Sequence, residues 1–184
     1  MGGKIKMGTR STIAIHNKNG EIKSVYCHWD GYYEHNGVIL YNFYNTISKV
    51  NKLIDCGDIS SLGTEIGKRH KFIELYHGCT FYHRDRGEDK NITIIDVEDV
   101  KNPYCNIPEE EYNYIFVEET GEWIAKKEGE EKYQKLEDIL RKISLSVWMI
   151  PVSNEKQYEK MADFYKTYGN HIKIPNIEEV LYEV

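Results

Sequence analysis

The sequence predicts an α+β fold: an antiparallel sheet built from two hairpins, with helices packed on it. Three observations carry this. Residues 9–29 read as two alternating strands around an Asn-Gly turn. Residues 112–127 repeat the pattern around a glycine turn. Helical periodicity lies between and after them, without the regular strand–helix alternation of a parallel doubly wound sheet.

Taken in order, residues 9–16 (TRSTIAIH) alternate polar and apolar and are β-branched, so they form a strand. Asn17-Lys18-Asn19-Gly20 turns the chain, and residues 21–29 (EIKSVYCHW) return it. Alternation puts Ile22, Ser24, Tyr26 and His28 on one face and Val25, Cys27 and Trp29 on the other. A helical stretch begins over 37–44. Residues 46–56 place Ile47, Val50, Leu53 and Ile54 at helical spacing, with Gly57 as the stop. Residues 58–63 read as a turn-rich loop, 64–78 have no clear pattern, and 79–83 and 91–97 read as strands. After the second hairpin, residues 131–143 form an amphipathic helix, 147–150 a short strand and 154–168 a helix. The tail 174–184 adds a further short helix. The best hinge is NPYCNIP, between an N-terminal unit (1–101) carrying the HWDGY and HRDRGE motifs and a C-terminal unit (102–184) with the acidic hairpin and last helices. Together they suit one compact domain.

The composition is that of a globular protein, 40% hydrophobic and 29% charged over 184 residues. No apolar run approaches a membrane span and there is no signal-like segment, so a cytoplasmic protein is expected. Cys27, Cys56, Cys79 and Cys105 are far apart, with no CxxC pair, which speaks against a zinc ribbon. The net charge of −6 is uneven. Residues 1–95 hold 13 basic and 10 acidic groups, whereas 96–138 hold 5 and 14. Without a basic stripe, direct sequence-specific nucleic-acid binding is not expected. The acidic block suits a basic protein partner or a solvated face. Fifteen tyrosines suit binding surfaces and half-buried sheets, and a homodimer is consistent with two hairpin edges.

One pattern occurs twice. YCHWDGY and YHRDRGE each set a histidine two positions before an aspartate: His28 and Asp30, His83 and Asp85. On a persistent strand each pair shares a face. If the two strands were neighbours, two imidazoles and two carboxylates would converge as a divalent-metal or acid/base site. Arg84 and Arg86 would then hold an anion such as phosphate. That is the enzyme reading, a metal-dependent hydrolase or nuclease. The structural alternative makes Asp30-Gly31 a turn and Asp85 a partner for a neighbouring arginine. P-loop, GxGxxG, GxSxG and HExxH motifs are absent.

The string TRSTIAI, YCHWDGY, LIDCGDISSLG and YHRDRGED, with YNYIFVEETGEW downstream, resembles small proteins encoded by bacterial phages, prophages and plasmids. The likeness covers roughly residues 9–127, and Tyr33 stands where most of those proteins have proline. The resemblance implies a mobile-element setting, in which small accessory proteins often counter host immunity, anti-CRISPR proteins among them. The leading expectation is therefore an inhibitor of a host defence system, with a Cas effector as one target, acting by direct protein binding and without a cofactor. Its contact surface would comprise Glu109, Glu110, Glu111, Tyr112, Tyr114, Glu118 and Glu119. The metal-dependent enzyme and a small-ligand or nucleotide-binding protein are the alternatives.

Overall fold

The computed structural model describes residues 8–72, 78–97 and 101–149, the last six by backbone alone. The segments expected as helices at 154–168 and 174–184 lie outside the described residues. Among the described residues, eight strands form one sheet: β1 (Ser11–His16), β2 (Glu21–Cys27), β3 (Ile59–Ser61), β4 (Thr80–Phe81), β5 (Thr93–Asp96), β6 (Tyr112–Val117), β7 (Glu122–Lys127) and β8 (Gln134–Lys135). Three α-helices accompany them: α1 (Val38–Phe43), α2 (Ile47–Ile54) and α3 (Leu136–Met149).

Both hairpins form. Ile13 faces Val25 across the first, and Ile115 faces Ile124 across the second. The first turn closes through the Asn17 amide on the Glu21 carbonyl at 2.8 Å. Gly20 takes φ of +87°, the left-handed conformation that glycine adopts without a side-chain clash. The sheet itself is mixed rather than antiparallel. Its strands run in the order β4-β3-β2-β1-β6-β7-β8, and β1 lies parallel to β6, with Ser11 opposite Tyr112. A second parallel contact joins β2 and β3 at Cys27 and Ile59. β2 returns the chain to the end where β1 begins, and residues 28–111 leave and re-enter at that end, so β6 runs parallel to β1. Hairpin signals are local, so they fix each pair of strands but not how two hairpins meet.

One face of the sheet carries the larger core. Ile13, Ile15, Val25, Cys27, Tyr114 and Phe116 pack there against Leu40 of α1, Val50, Leu53 and Ile54 of α2, and Leu136 of α3. α2 starts where Thr46 accepts the Lys49 amide at its side-chain oxygen, a standard N-cap, and it buries the predicted stripe. The opposite face has a smaller cluster: Ala14, Ile22, Ile107 and Ile115, flanked by Ile95, Tyr104 and Tyr133.

Four local expectations are corrected. Residues 58–63 contain β3, because the Ile59 and Ser60 carbonyls accept the His28 and Trp29 amides. The strand at 79–83 is only β4, two residues long; a π-helical turn, Tyr82–Arg86, follows at once. The helix expected from 131 begins at Leu136, since Gln134 and Lys135 pair with β7 as β8. The helix continues through 147–149, where a strand was expected.

Candidate functional site

The two HxD pairs do not assemble as the alternation argument required. β2 ends at Cys27, and Asp30 has φ of +56°, the one positive value among described non-glycine residues. The strand therefore stops before His28 and Asp30 can share a face. Gly31 explains the kink. A Cβ there would lie 2.6 Å from both the carbonyl carbon and oxygen of Arg10, which leaves room only for glycine. Its amide donates to the Thr9 carbonyl at 2.8 Å, and its own carbonyl accepts the Tyr114 hydroxyl at 2.7 Å. HWDGY thus folds the chain tightly back beside β1 and into a second π-helical turn, Tyr33–Gly37.

His83 and Asp85 sit in a π-helical turn, not on a strand, and β3 lies between β2 and β4. His83 is exposed, with Nδ1 2.7 Å from the Glu88 carbonyl oxygen. The Asp85 carboxylate is fully shielded from solvent and accepts four hydrogen bonds. They come from Arg84 Nε and the His70 amide on Oδ1, and from Arg84 Nη2 and the Phe81 amide on Oδ2. Four is about the full acceptor capacity of a carboxylate. Burial alone would raise the Asp85 pKa, but Arg84 and the two amides outweigh it and hold the carboxyl below its usual range. Among the described residues, no three His, Cys, Asp or Glu side chains are grouped so as to hold a metal ion.

The anion-binding pair is corrected as well. Arg84 also donates to the carbonyls of Ile66, Gly67 and Cys79 at 2.8, 3.1 and 2.6 Å. With the two bonds to Asp85, these match the five N–H groups of a guanidinium. Arg86 pairs instead with Glu88 at 2.9 Å and stacks on Phe72. The two arginines do not converge on one anion.

Cys27 and Cys79 are not activated thiols. Cys27 and Cys79 are buried, and burial pushes them up to about 12 and about 11. Cys27 accepts from the buried Asn36 amide, which also donates to the Ser11 hydroxyl and the Trp29 carbonyl.

What does converge is a polar and aromatic surface at one end of the sheet, where β1 and β6 begin and β2 and β7 end. Trp29 is 41% exposed there and lies edge-on to His28, with ring centroids 4.6 Å apart. The Tyr26 hydroxyl is 2.7 Å from His28 Nδ1. Burial and the Arg10 charge lower the His28 pKa, while Glu110 acts against them. Arg10 reaches Glu111 at 3.8 Å. On the core side of this end, the buried Tyr33 stacks edge-on against Tyr112 at 4.9 Å and donates its hydroxyl to Glu130 at 3.3 Å. Burial, with Asp30 adding to it, pushes Tyr32 up to about 12. Glu109 pairs with Lys126 at 2.6 Å, and the Glu128 amide donates to the Glu111 carbonyl.

Of the acidic contact surface read from the sequence, Glu109, Glu110, Glu111 and Tyr112 fall at this end. Glu118 and Glu119 do not. They follow β6 at its far end, about 17 Å away at ~3.4 Å per residue, where Glu118 accepts the Lys18 amide at 2.8 Å. Tyr114 is withdrawn from the surface altogether, being fully buried. Alternation places it with Phe116 on the core face, a signal already present in YNYIF. Sequence reasoning missed Arg10, Tyr26 and Tyr33 as neighbours of the acidic segment. The parallel β1–β6 pairing, which brings them beside it, has no local signature.

No protein-family model, no curated protein and no solved structure matches this chain.

Proposed function

We propose that the protein acts by binding another protein, through the acidic, tyrosine-rich end of the sheet. The observation that carries this reading is an exposed Trp29 beside His28 and Tyr26, with Glu110 close to both of these and Glu111 paired with the neighbouring Arg10. Tryptophan and tyrosine supply large, stiff contact area with a polar tip, and they dominate binding hot spots. The carboxylates around them favour a partner with a basic surface and speed its encounter.

In the mobile-element setting implied by the motif string, the partner is a host defence protein, and the outcome of binding is its inhibition. Nucleic-acid channels are the basic surfaces such proteins expose, so a CRISPR-Cas nuclease is the first target to test. The metal-dependent enzyme reading has lost its geometric premise, because the two HxD pairs sit in separate turns and Asp85 is saturated by its own neighbours.

The test compares two charge-reversal variants in a defence-inhibition assay paired with a binding measurement. One replaces Glu109, Glu110 and Glu111 by lysine; the other does the same at Glu118 and Glu119. Loss of inhibition and binding in the first alone supports the assignment. Equal loss in both, or in neither, overturns it.

A further inference from the structure

β2 is paired with β1 along one side, but its other side is shared. β3 takes the Cys27 end and β5 the Glu21–Ser24 end. β5 is consequently an edge strand: among the described residues it pairs with β2 only. The Val97 amide donates to the Gly20 carbonyl at 3.0 Å. In an antiparallel ladder the bonding direction alternates, so Thr93, Ile95 and Val97 bond inward to β2. The N–H and C=O groups of Ile92, Ile94 and Asp96 then point outward.

This edge is rich in β-branched residues, and Ile94 is 57% exposed on it. Natural edges are usually protected by prolines, bulges or central charges, none of which occurs from Ile92 to Ile95. Charges occur only at its two ends, and they have opposite sign: Lys90 before the strand and Asp96 at its close. Ile94 and Asp96 share one face of β5 by alternation, and Lys90 and Ile92 would continue that face where pairing with a second copy extends the strand to residue 90.

We propose that β5 is a self-association edge, pairing antiparallel with β5 of a second copy about a two-fold axis at Thr93. In that register Ile92 meets Ile94 of the partner copy in both directions. Lys90 meets the partner's Asp96, also twice. The outward groups of Ile92 and Ile94 exchange about four backbone hydrogen bonds. The sequence thus reads as its own complement, with an apolar centre between two ion pairs. Lys90 Nζ, which donates to the Asp55 carbonyl at 2.8 Å in the single chain, exchanges that bond for the partner carboxylate. So short a seam buries less than the ~1,200 Å² of stable complexes, so the dimer is concentration-dependent. This edge lies away from the acidic end, and the inference stands independently of the function proposed above.

The test is analytical ultracentrifugation of the full chain up to about 300 µM, a range that captures weak dimers. A monomer–dimer equilibrium is expected. Lys90→Asp and Asp96→Lys each place like charges opposite one another and weaken the dimer about tenfold. Mixed in equal amounts, the two variants restore association, because each supplies the charge the other lacks. Thr93→Cys, made with Cys105→Ser to remove the exposed thiol, forms an intermolecular disulfide at the axis. Circular dichroism verifies folding of each variant. A monomer throughout this range overturns the proposal, as does a dimer indifferent to both reversals. Failure of the mixture to recover overturns the register.

Discussion

Arg84 and Asp85, adjacent in the chain, bond to each other side chain to side chain through two contacts of 2.8 Å. Sequence neighbours seldom meet this way on a strand, where their side chains point to opposite faces. The π-helical turn Tyr82–Arg86 turns them together. The pair then ties three segments: the carbonyls of Ile66 and Gly67, the amide of His70, and the ends of β4 at Cys79 and Phe81.

Asp85→Asn should therefore destabilise the protein by about 3 kcal/mol, the cost typical of removing one partner of a shielded ion pair. Denaturant unfolding followed by fluorescence would measure it. The pH dependence has a fixed sign. A carboxyl whose pKa is lower folded than unfolded stabilises above the unfolded value near 3.9, and that stability is lost as pH falls through the folded value. Asp85→Asn should flatten the stability profile below about pH 4. An unchanged profile would show that other carboxyls control acid unfolding.

His28 should titrate below the ordinary histidine value of about 6.5, because burial and Arg10 both disfavour the imidazolium. Nuclear magnetic resonance of the imidazole protons against pH reads this directly. Its linkage runs opposite to that of Asp85 in cause but gives the same slope. The unfolded state takes up the proton first, so His28 costs stability as pH falls through the unfolded value and down to the folded one. Arg10→Gln should move the His28 titration upward. No movement would place the whole effect in desolvation.

Gly31→Ala should be severely destabilising, since its Cβ would overlap backbone atoms of Arg10 rather than a movable side chain. Asp30→Gly, one residue earlier, should change stability by no more than about 1 kcal/mol. Glycine removes the left-handed strain of 1–2 kcal/mol, while the variant loses the carboxylate beside Tyr32. Thermal melts of the pair test whether the DG step is needed for geometry or for its carboxylate. A large loss for Asp30→Gly would reassign Asp30 to function or to a stabilising contact.

Trp29→Ala should leave the melting temperature within a few degrees, because the side chain is 41% exposed and lies outside both core clusters. It should nonetheless weaken target binding at least tenfold if it anchors the contact. Leu53→Ala, on the buried stripe of α2, should show the reverse: a stability loss of about 3 kcal/mol without a specific binding defect in the folded fraction. Calorimetric binding on matched folded concentrations separates the two.

The parts of this fold that were legible in the sequence are those stabilised by near neighbours. The Asn-Gly turn marked the β1–β2 hairpin, and Ile47, Val50, Leu53 and Ile54 at helical spacing, with Gly57 after them, marked α2 and its stop. The illegible parts depend on distant residues. Nothing in IAIH states that Ile13 will lie beside Tyr114, or that Gln134 will leave a helical pattern to bond with β7. The repeated HxD motif was visible but its geometry was not. Alternation holds only while a strand continues, and both motifs sit where the chain leaves one. The carboxylates of 109–111 were placed on a binding surface from charge alone. Their company came from far up the chain: Arg10 just before β1, and Tyr26 and His28 at the end of β2.

The parallel pairing of β1 with β6 also sets a schedule for synthesis. β1 emerges from the ribosome with β2 as its immediate partner, but its second partner begins at Tyr112. At ~5–20 residues per second, the nascent chain waits roughly 5–20 s with that side of β1 open. For that interval the segment STIAI is an unclosed strand in a crowded cell. Slow translation through residues 28–111 would lengthen its exposure to aggregation and to chaperones without altering a single contact of the finished fold.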